Sequence, residues 1–374
     1  MRNSPQSTEQ ILRDTRRKIY SGSVAGVYAR RRVAMVWVTQ ILFYGAPWLL
    51  WNGRQALLLD LAHRRLDLFG LMLWPQDLLL LGFLLLLIAV CALLLFTVVA
   101  GRLFCGYACP QSVYTEIFLW IERWVEGDRL ARIRLDSRPM DARKFLRKAA
   151  KHGLWIALAL WTGFTFVGYF SPIRQLAQDA SRLGIGDWQT FWIAFYALAT
   201  YGNAGFLREQ VCKSMCPYAR MQPLLFDQDT PRVVYDSARG EPRGLGRELS
   251  APAQGRGACA DCSVCVQVCP TGIDIREGAQ DLCIDCGACV DACDQVMRSL
   301  RQPQGLIGYA DGGARPQSWG PRQTWARMRR PRVALGGAVL LLLLLAFAGV
   351  LLRSPPARGL QAAATVVAAP GQAS

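Results

Sequence analysis

The chain has 374 residues, 52% of them hydrophobic, and a net charge of +16. That length holds two or three domains, and thirteen cysteines spread along it exclude a small secreted disulfide scaffold. The positive charge does not imply nucleic acid: the arginines crowd beside long apolar runs, where they orient a membrane protein, and no nucleic-acid-binding module accompanies them.

Residues 1–32 are polar and basic, with Arg13, Arg16, Arg17, Lys18, Arg30, Arg31 and Arg32. A secretory signal has a short basic region, a short apolar core and a small-residue cleavage site near the start. None is visible, so residues 33–51 are expected as a retained first transmembrane helix, bent or ended near Pro47. Trp74-Pro75-Gln76-Asp77 opens a second span over roughly 78–100, because proline is tolerated in a first helical turn and Trp suits the interface. A third span is expected at about 153–170, with Trp155, Trp161 and Phe164. The fourth, about 190–207, is aromatic and interrupted by Gly202, Asn203 and Gly205, and the fifth, about 333–352, is centred on a leucine run. Each is near the ~20 residues that a bilayer crossing needs, and buried core helices are the rival for the third and fourth.

Loop charges orient these spans. Arg and Lys number eight in residues 1–32 and eleven in 102–152, but three in 52–77 and two in 171–190. Cytoplasmic loops are the basic ones. The amino terminus and the 102–152 loop are therefore expected in the cytoplasm, and four spans return the chain there near residue 208. Residues 236–257 and 302–332, rich in Gly, Pro and Arg, are expected as linkers. The 353–374 tail is expected in the periplasm, with too little material for a folded core.

Between the linkers, at 258–301, the cysteines fall into two runs of C-x2-C-x2-C-x3-C. This duplicated spacing is the mark of a bacterial ferredoxin domain with two [4Fe–4S] clusters, in which the fourth cysteine of each run ligates the other cluster. Cys259, Cys262, Cys265 and Cys293 are expected to hold one, and Cys283, Cys286, Cys289 and Cys269 the other. Structural zinc uses one or two C-x2-C pairs per site, and neither zinc nor disulfides explain eight cysteines in this order. Thiols awaiting iron need a reducing compartment, which agrees with the cytoplasmic placement. Pro270 follows Cys269, whereas Asp294 follows Cys293; that difference is expected to alter local structure and leave ligation intact. The fold class is thus an α-helical integral membrane protein of about five transmembrane helices with an inserted α+β ferredoxin domain.

Two further pairs share the form C-x3-C-P: Cys105 and Cys109 before Pro110, Cys212 and Cys216 before Pro217. On a helix this spacing puts both thiols on one face. Each pair follows a span at its cytoplasmic end, so four sulfurs at one membrane depth are available to a thiophilic metal: Cu(I), zinc or an iron–sulfur centre. The bland reading is small buried hydrophobes, as free cysteines often are, and it is the reading for Cys91 inside the second span. His63 is expected to be solvated, and His152 lies at the depth of the cysteine pairs as a lesser metal-ligand candidate.

Arg102-Leu-Phe-Cys-Gly-Tyr-Ala-Cys-Pro-Gln-Ser-Val-Tyr-Thr-Glu116, Trp74-Pro-Gln-Asp77, Cys212-x3-Cys-Pro217 and the run ending Ala-Cys-Asp-Gln-Val-Met297 resemble the CcoG/FixG/RdxA family over about residues 15–350. The resemblance implies a cytochrome c oxidase accessory protein of the bacterial inner (cytoplasmic) membrane, multi-pass, with its ferredoxin domain in the cytoplasm. It implies a part in maturation of the cbb-type oxidase, with reduction of Cu(II) to Cu(I) for its copper centre. Partners on this reading are oxidase subunits or their assembly factors, a cytoplasmic electron donor and membrane lipid, with no nucleic acid. The family also carries an immunoglobulin-like periplasmic domain after its last span. The favoured expectation is a membrane electron-transfer protein whose clusters pass electrons toward copper at Cys105, Cys109, Cys212 and Cys216. Its rivals are a quinol-linked ferredoxin relay to a periplasmic reductase and a non-redox oxidase assembly scaffold.

Overall fold

The computed structural model describes residues 19–60, 65–68, 71–73, 75–227, 230–244, 257–310 and 330–353. His63 and the ends of the chain lie outside them. In chain order come α1 (Val27–Gly45), a ribbon of β1 (Leu50–Trp51) and β2 (Arg54–Gln55), and an antiparallel sheet of β3 (Leu57–Asp60), β4 (Arg65–Leu68) and β5 (Leu71–Leu73). Helices α2 (Pro75–Ala100), α3 (Leu103–Tyr107), α4 (Pro110–Glu126), α5 (Arg129–Ser137), α6 (Ala142–Val167), α7 (Ile173–Ser181) and α8 (Asp187–Gly202) follow. Two π-helical turns, Asn203–Leu207 and Val211–Met215, lead into α9 (Pro217–Leu225). The remainder is β6 (Arg232–Tyr235), α10 (Val264–Gln267), α11 (Ala288–Ser299), β7 (Ile307–Ala310) and α12 (Pro331–Arg353).

All five expected spans fall on helices. Among the described residues, two stretches are long and apolar enough to cross a membrane: Leu80–Ala100 in α2 and Pro331–Val350 in α12. Both turn large apolar side chains outward, including Leu80, Phe83, Leu85 and Leu86, and Leu341, Leu342 and Leu345. Surface of that kind in contiguous patches marks an interaction face, here of a length that matches lipid. The protein is membrane-associated. α1 ends earlier than expected, at Gly45, where Ala46–Trp48 tighten into a 3-10 turn around Pro47. The stretch between the first two expected spans is not irregular: it contains β1 to β5, with Leu57 opposite Leu68 and Leu66 opposite Leu73.

The chain divides into two compact units, residues 1–39, 96–159 and 198–329 in one and 40–95, 160–197 and 330–374 in the other. Inside the second, the Tyr44 hydroxyl meets Thr162 at 2.8 Å and Tyr169 donates to the Phe43 carbonyl at 2.8 Å, tying α1 to the end of α6. Gln55 donates to the Gly168 carbonyl at 2.8 Å and accepts from the Ile173 amide at 3.0 Å, so one side chain fixes the turn between α6 and α7.

The first unit contains the cysteine runs. β6 pairs antiparallel with β7, Arg232 opposite Ala310 through Tyr235 opposite Ile307, closing a two-stranded clasp around the intervening segment. Val233, Ile275, Val290, Ile307 and Tyr309 form its core, packed against Cys265. A second centre of order is ionic. Glu122, buried on α4, accepts from Arg132 at 2.8 Å and Arg208 at 2.7 Å, while Glu126 one turn on meets Lys148 and Lys151 at 3.0 Å each. Buried carboxylates persist only when paired in this way. Arg132 also reaches the segment before α1, donating to the Ser21 carbonyl at 2.6 Å, and Arg129 donates to that of Tyr20 at 2.9 Å. That segment then crosses α11, whose buried Asp291 accepts from the amides of Tyr28 at 3.2 Å and Ala29 at 2.7 Å. A carboxylate at a helix start satisfies orphan amides and complements the dipole. The ferredoxin segment thus caps α1.

Candidate functional site

The two cysteine runs fold as near copies. Around Cys262, Asp261 (φ 49°) and Ser263 (φ 54°) are left-handed; around Cys286, Asp285 (φ 49°) and Gly287 (φ 72°) are. Alternating backbone hand turns successive N–H groups to one side and makes a concave cradle for an anionic group, as in many iron–sulfur sites. Gly287 is needed for a second reason, since a Cβ there would stand 2.7 Å from the Tyr28 ring. A helix follows each cradle. α10 spans only Val264–Gln267 and stops before Cys269-Pro270, because proline cannot continue a helix. α11 meets Asp294 instead and runs on to Ser299, with the Asp294 carboxylate accepting from the Gly305 amide at 3.0 Å.

Two sulfur-lined cavities result. One, with about 370 Å³ of empty space, is walled by Cys259, Cys262, Cys265 and Cys293; the other, about 360 Å³, by Cys269, Cys283, Cys286 and Cys289, with Cys265 on its edge as well. Each contains three cysteines of one run and the fourth of the other, which is the exchange that the spacing predicts. Cys265 lines both, so the cavities are neighbours. Burial pushes the Cys265 thiol up to about 11 and the Cys293 thiol up to about 12. Only a strong thiophile displaces those protons, and soft iron–sulfur centres do. Side chains around the sulfurs complete the shell: Thr271 Oγ1 lies 3.3 Å from Cys269 Sγ, and Asp285 Oδ1 lies 3.4 Å from Cys283 Sγ while accepting from the Val233 amide at 3.0 Å. The donor sets fit two cubane clusters.

The C-x3-C-P pairs come together in the same unit. Cys109 and Cys216 are the N-cap residues of α4 and α9, with Pro110 and Pro217 at the first helical positions. Gln222, fully buried on α9, donates its amide to Cys105 Sγ at 3.4 Å. Gln111 on α4 donates to the carbonyls of Asn203 and Arg208 at 3.0 Å each, pinning the turns that precede Cys212. Burial raises the Cys105 thiol to about 11 and the Cys212 thiol to about 12, and Cys105, Cys109 and Cys216 all act electrostatically on Cys212. Cys91 belongs to the other unit. His152 is held elsewhere, with Nδ1 3.0 Å from the Tyr201 hydroxyl among Trp155 and Phe206. Gln222 belongs to no motif, and nothing in a single sequence singles it out.

The first pair also touches the ferredoxin run. A Cβ at Gly106 would stand 2.7 Å from the Ile284 carbonyl oxygen and 3.0 Å from Cys286 Cα, so the backbones are in direct contact there. Tyr107 donates to the Cys286 carbonyl at 3.3 Å. Arg102, buried, donates to the carbonyls of Asp281, Cys283 (3.2 Å) and Ala219 (3.1 Å), clamping the Cys283–Cys286 loop to α9. A cavity with about 750 Å³ of empty space lies alongside, lined by Arg32, Tyr107, Glu116, Arg208, Cys212 and Cys286 among others.

Residues 207–312 match the family described as a 4Fe-4S dicluster domain, and residues 81–127 one described as a 4Fe-4S binding domain. Protein RdxB of Cereibacter sphaeroides is 39% identical over 364 residues, covering 94% of this chain and 76% of the relative. The chain belongs to the FixG/RdxA/RdxB family. Protein RdxA of the same organism is 39% identical over 86% of this chain and 69% of its own length, and the nitrogen fixation protein FixG of Rhizobium meliloti 40% identical over 80% of this chain. The chain spans 58% of FixG. No solved structure matches it. The protein carries two [4Fe–4S] clusters and is a membrane-associated iron–sulfur electron-transfer protein.

Proposed function

We propose that the protein takes electrons from a cytoplasmic donor and delivers them to copper, reducing Cu(II) to Cu(I) during assembly of a cbb-type cytochrome c oxidase. The observation that carries this reading is the backbone contact of Gly106 with Ile284 and Cys286, which joins the second cluster cavity to the four thiols without a mobile carrier. The clusters, when bound, supply one-electron storage at the two cavities. The chain's own residues set the direction. Cys262 is exposed, so the first cavity meets the donor; Cys286 is buried against the Gly106 loop, so the second faces the thiol centre. Cys105, Cys109, Cys212 and Cys216 are the metal ligands of that centre, and Cu(II), the substrate, gains its one electron there. Thiolate surroundings favour Cu(I), so reduction at the point of handover keeps the ion from leaving as Cu(II).

The helices α1, α2, α6, α8 and α12 are the five spans of this reading, with the amino terminus and the ferredoxin segment in the cytoplasm of a bacterial inner membrane. Outward Trp37, Ile41 and Leu42 on α1, Leu154 and Trp161 on α6, and Trp188 and Phe195 on α8 support lipid contact beyond α2 and α12. A second reading, a quinol-linked relay, is favoured by the partly open cavity that both Cys212 and Cys286 line. The deciding experiment supplies Cu(II) to anaerobically reduced protein in the presence of a chromophoric Cu(I) chelator. Wild type should form Cu(I); Cys286→Ser should not. Equal rates in both proteins would leave a scaffold without a redox role.

A further inference from the structure

We infer that the turn between α5 and α6 binds the phosphate of an anionic phospholipid, whose acyl chains lie along the outward face of α6. The inference rests on the reading of α6 as a membrane span and is independent of the electron donor and of copper. The face is a continuous stripe. Phe145, Leu146, Ala149, Ala150, Leu154 and Ile156 are exposed at helical spacing, and every exposed position between 145 and 157 is uncharged. The charges of the same stretch are turned inward. Lys148 meets Asp136 at 2.6 Å and Glu126 at 3.0 Å, and buried Lys151 meets Glu126 at 3.0 Å. A helix that hides its lysines and shows its leucines has an apolar medium outside it.

At its amino-terminal end the stripe meets a cationic cavity. About 490 Å³ of empty space is lined there by Arg138, Asp141, Arg143, Lys144 and Arg147, four cations to one carboxylate. Asp141 accepts from the Ala142 amide at 2.8 Å, and Lys144 Nζ donates to the carbonyls of Asp136 at 3.0 Å and Arg138 at 2.6 Å, bracing the turn. Arg138, Arg143 and Arg147 have no ion-pair partner among the described residues. Arg143 and Lys144 also stand at the positive end of the helix dipole, and the first turn of α6 contains no acidic residue to offset them. An anion in the cavity would do so. The guanidinium fork matches a phosphate, and basic segments beside a span attract anionic lipid. Orienting a span needs arginines on one side of the membrane, not three of them on one cavity. A zwitterionic lipid would bring a cation of its own into this surplus, so the headgroup that fits has a net negative charge.

The test is native mass spectrometry of the full chain, purified anaerobically in detergent and offered equal amounts of phosphatidylglycerol and phosphatidylcholine. Wild type should retain one phosphatidylglycerol in preference to phosphatidylcholine. Arg143→Gln/Arg147→Gln should lower that occupancy about tenfold, since two cationic contacts at the membrane surface are lost, with cluster iron unchanged. Arg298→Gln/Arg301→Gln removes the same charge outside the cavity and should match wild type, while Arg143→Lys/Arg147→Lys should keep the preference. Arg138→Gln, which leaves α6 intact, should lower occupancy about fivefold, so a folding defect in the helix does not decide the result. Equal retention of the two lipids by wild type would overturn the inference. So would unchanged retention in Arg143→Gln/Arg147→Gln, or an equal loss in Arg298→Gln/Arg301→Gln. Inorganic phosphate that binds and displaces the lipid would make this a free-phosphate site and overturn the lipid. A reporter at residue 180 reads the span separately: lipid preference with a cytoplasmic reporter defeats the span and leaves the phosphate site, and no preference with a periplasmic reporter defeats the site alone.

Discussion

Gly106→Val tests whether electron delivery depends on the docking of two loops. A Cβ at this position would stand 2.7 Å from the Ile284 oxygen, 3.0 Å from Cys286 Cα and 3.2 Å from Cys286 N, where ordinary contact begins at 3.4 Å. All three neighbours are backbone, so no side chain can rotate away, and the loops must part by at least the 0.7 Å difference between 3.4 and 2.7 Å. Overpacking of a tight site costs about 1–3 kcal/mol. Replacing glycine by alanine inside α3 would return up to about 1 kcal/mol of helix propensity and mask part of that. Valine has the bulk with little of the compensation, so the upper end, about 3 kcal/mol, is expected; this is roughly a 150-fold shift toward the undocked state. Gly106 supplies no side chain to any centre, so cluster iron should stay at the wild-type level. Hydrogen exchange across residues 281–287 should accelerate, and Cu(I) formation should fall while chemical reductants still bleach both ferredoxin clusters. Wild-type exchange at 281–287 together with wild-type copper reduction would refute the docking argument.

Glu122→Gln strands Arg132 and Arg208 beside a neutral group, and breaking a buried pair costs about 3–5 kcal/mol, so its melting temperature in detergent should drop sharply. The same residue sets an acid limit. Burial alone would raise the Glu122 carboxyl, but Arg208, Arg132 and Lys151 outweigh it and hold it below the usual range. A depressed carboxyl contributes in full above its unfolded value of about 4.3 and loses that contribution as pH falls through its folded value, so stability should decline below about pH 4 and the decline should be shallower in Glu122→Gln. Asp291→Ala removes the acceptor for the Tyr28 and Ala29 amides, a capping loss of about 0.5–2 kcal/mol, and should hasten proteolysis before residue 30 without changing cluster iron. Reporter fusions at residues 65, 180 and 365 should be active only as periplasmic reporters, and those at 135 and 245 only as cytoplasmic ones; a reversed result at 245 would remove the cytoplasmic donor from the scheme.

The cluster-binding part of the fold was legible because its chemistry imposes a spacing, and the exchange of Cys269 and Cys293 follows from that spacing alone. The helices were legible from apolar runs, although α6 begins at Ala142, with a charged and mostly exposed first half that the expected span at about 153–170 leaves out. What the sequence could not show was contact between segments far apart in it. Gln222 meets Cys105 across 117 positions and Asp291 meets Ala29 across 262. Neither residue carries a local pattern, because a side chain that acts on a distant partner leaves no period behind. The strands between α1 and α2 were missed for a different reason: leucine-rich segments of three or four residues read equally as the fringe of a membrane span.

The two ferredoxin runs share one spacing and one backbone form, and they differ in the contacts around them. In the second run Gly287 replaces Ser263, and its missing side chain admits the Tyr28 ring. Asp294 replaces Pro270, and α11 continues far enough for Asp291 to lie against the start of α1. Asp285 accepts from Val233 and its carbonyl from Tyr309 at 2.5 Å, whereas its counterpart Asp261 forms an exposed ion pair with Arg276 at 2.5 Å. Gly287 and Asp291 give the second run its contacts with the start of α1, while the first run meets the segment before α1 through the Gln267 carbonyl, which accepts from the Gly22 amide at 2.9 Å, and keeps Cys262 exposed. On the proposed relay, the exposed Cys262 would be the face open to a donor, and the loop at Gly106 the face fixed against the next centre.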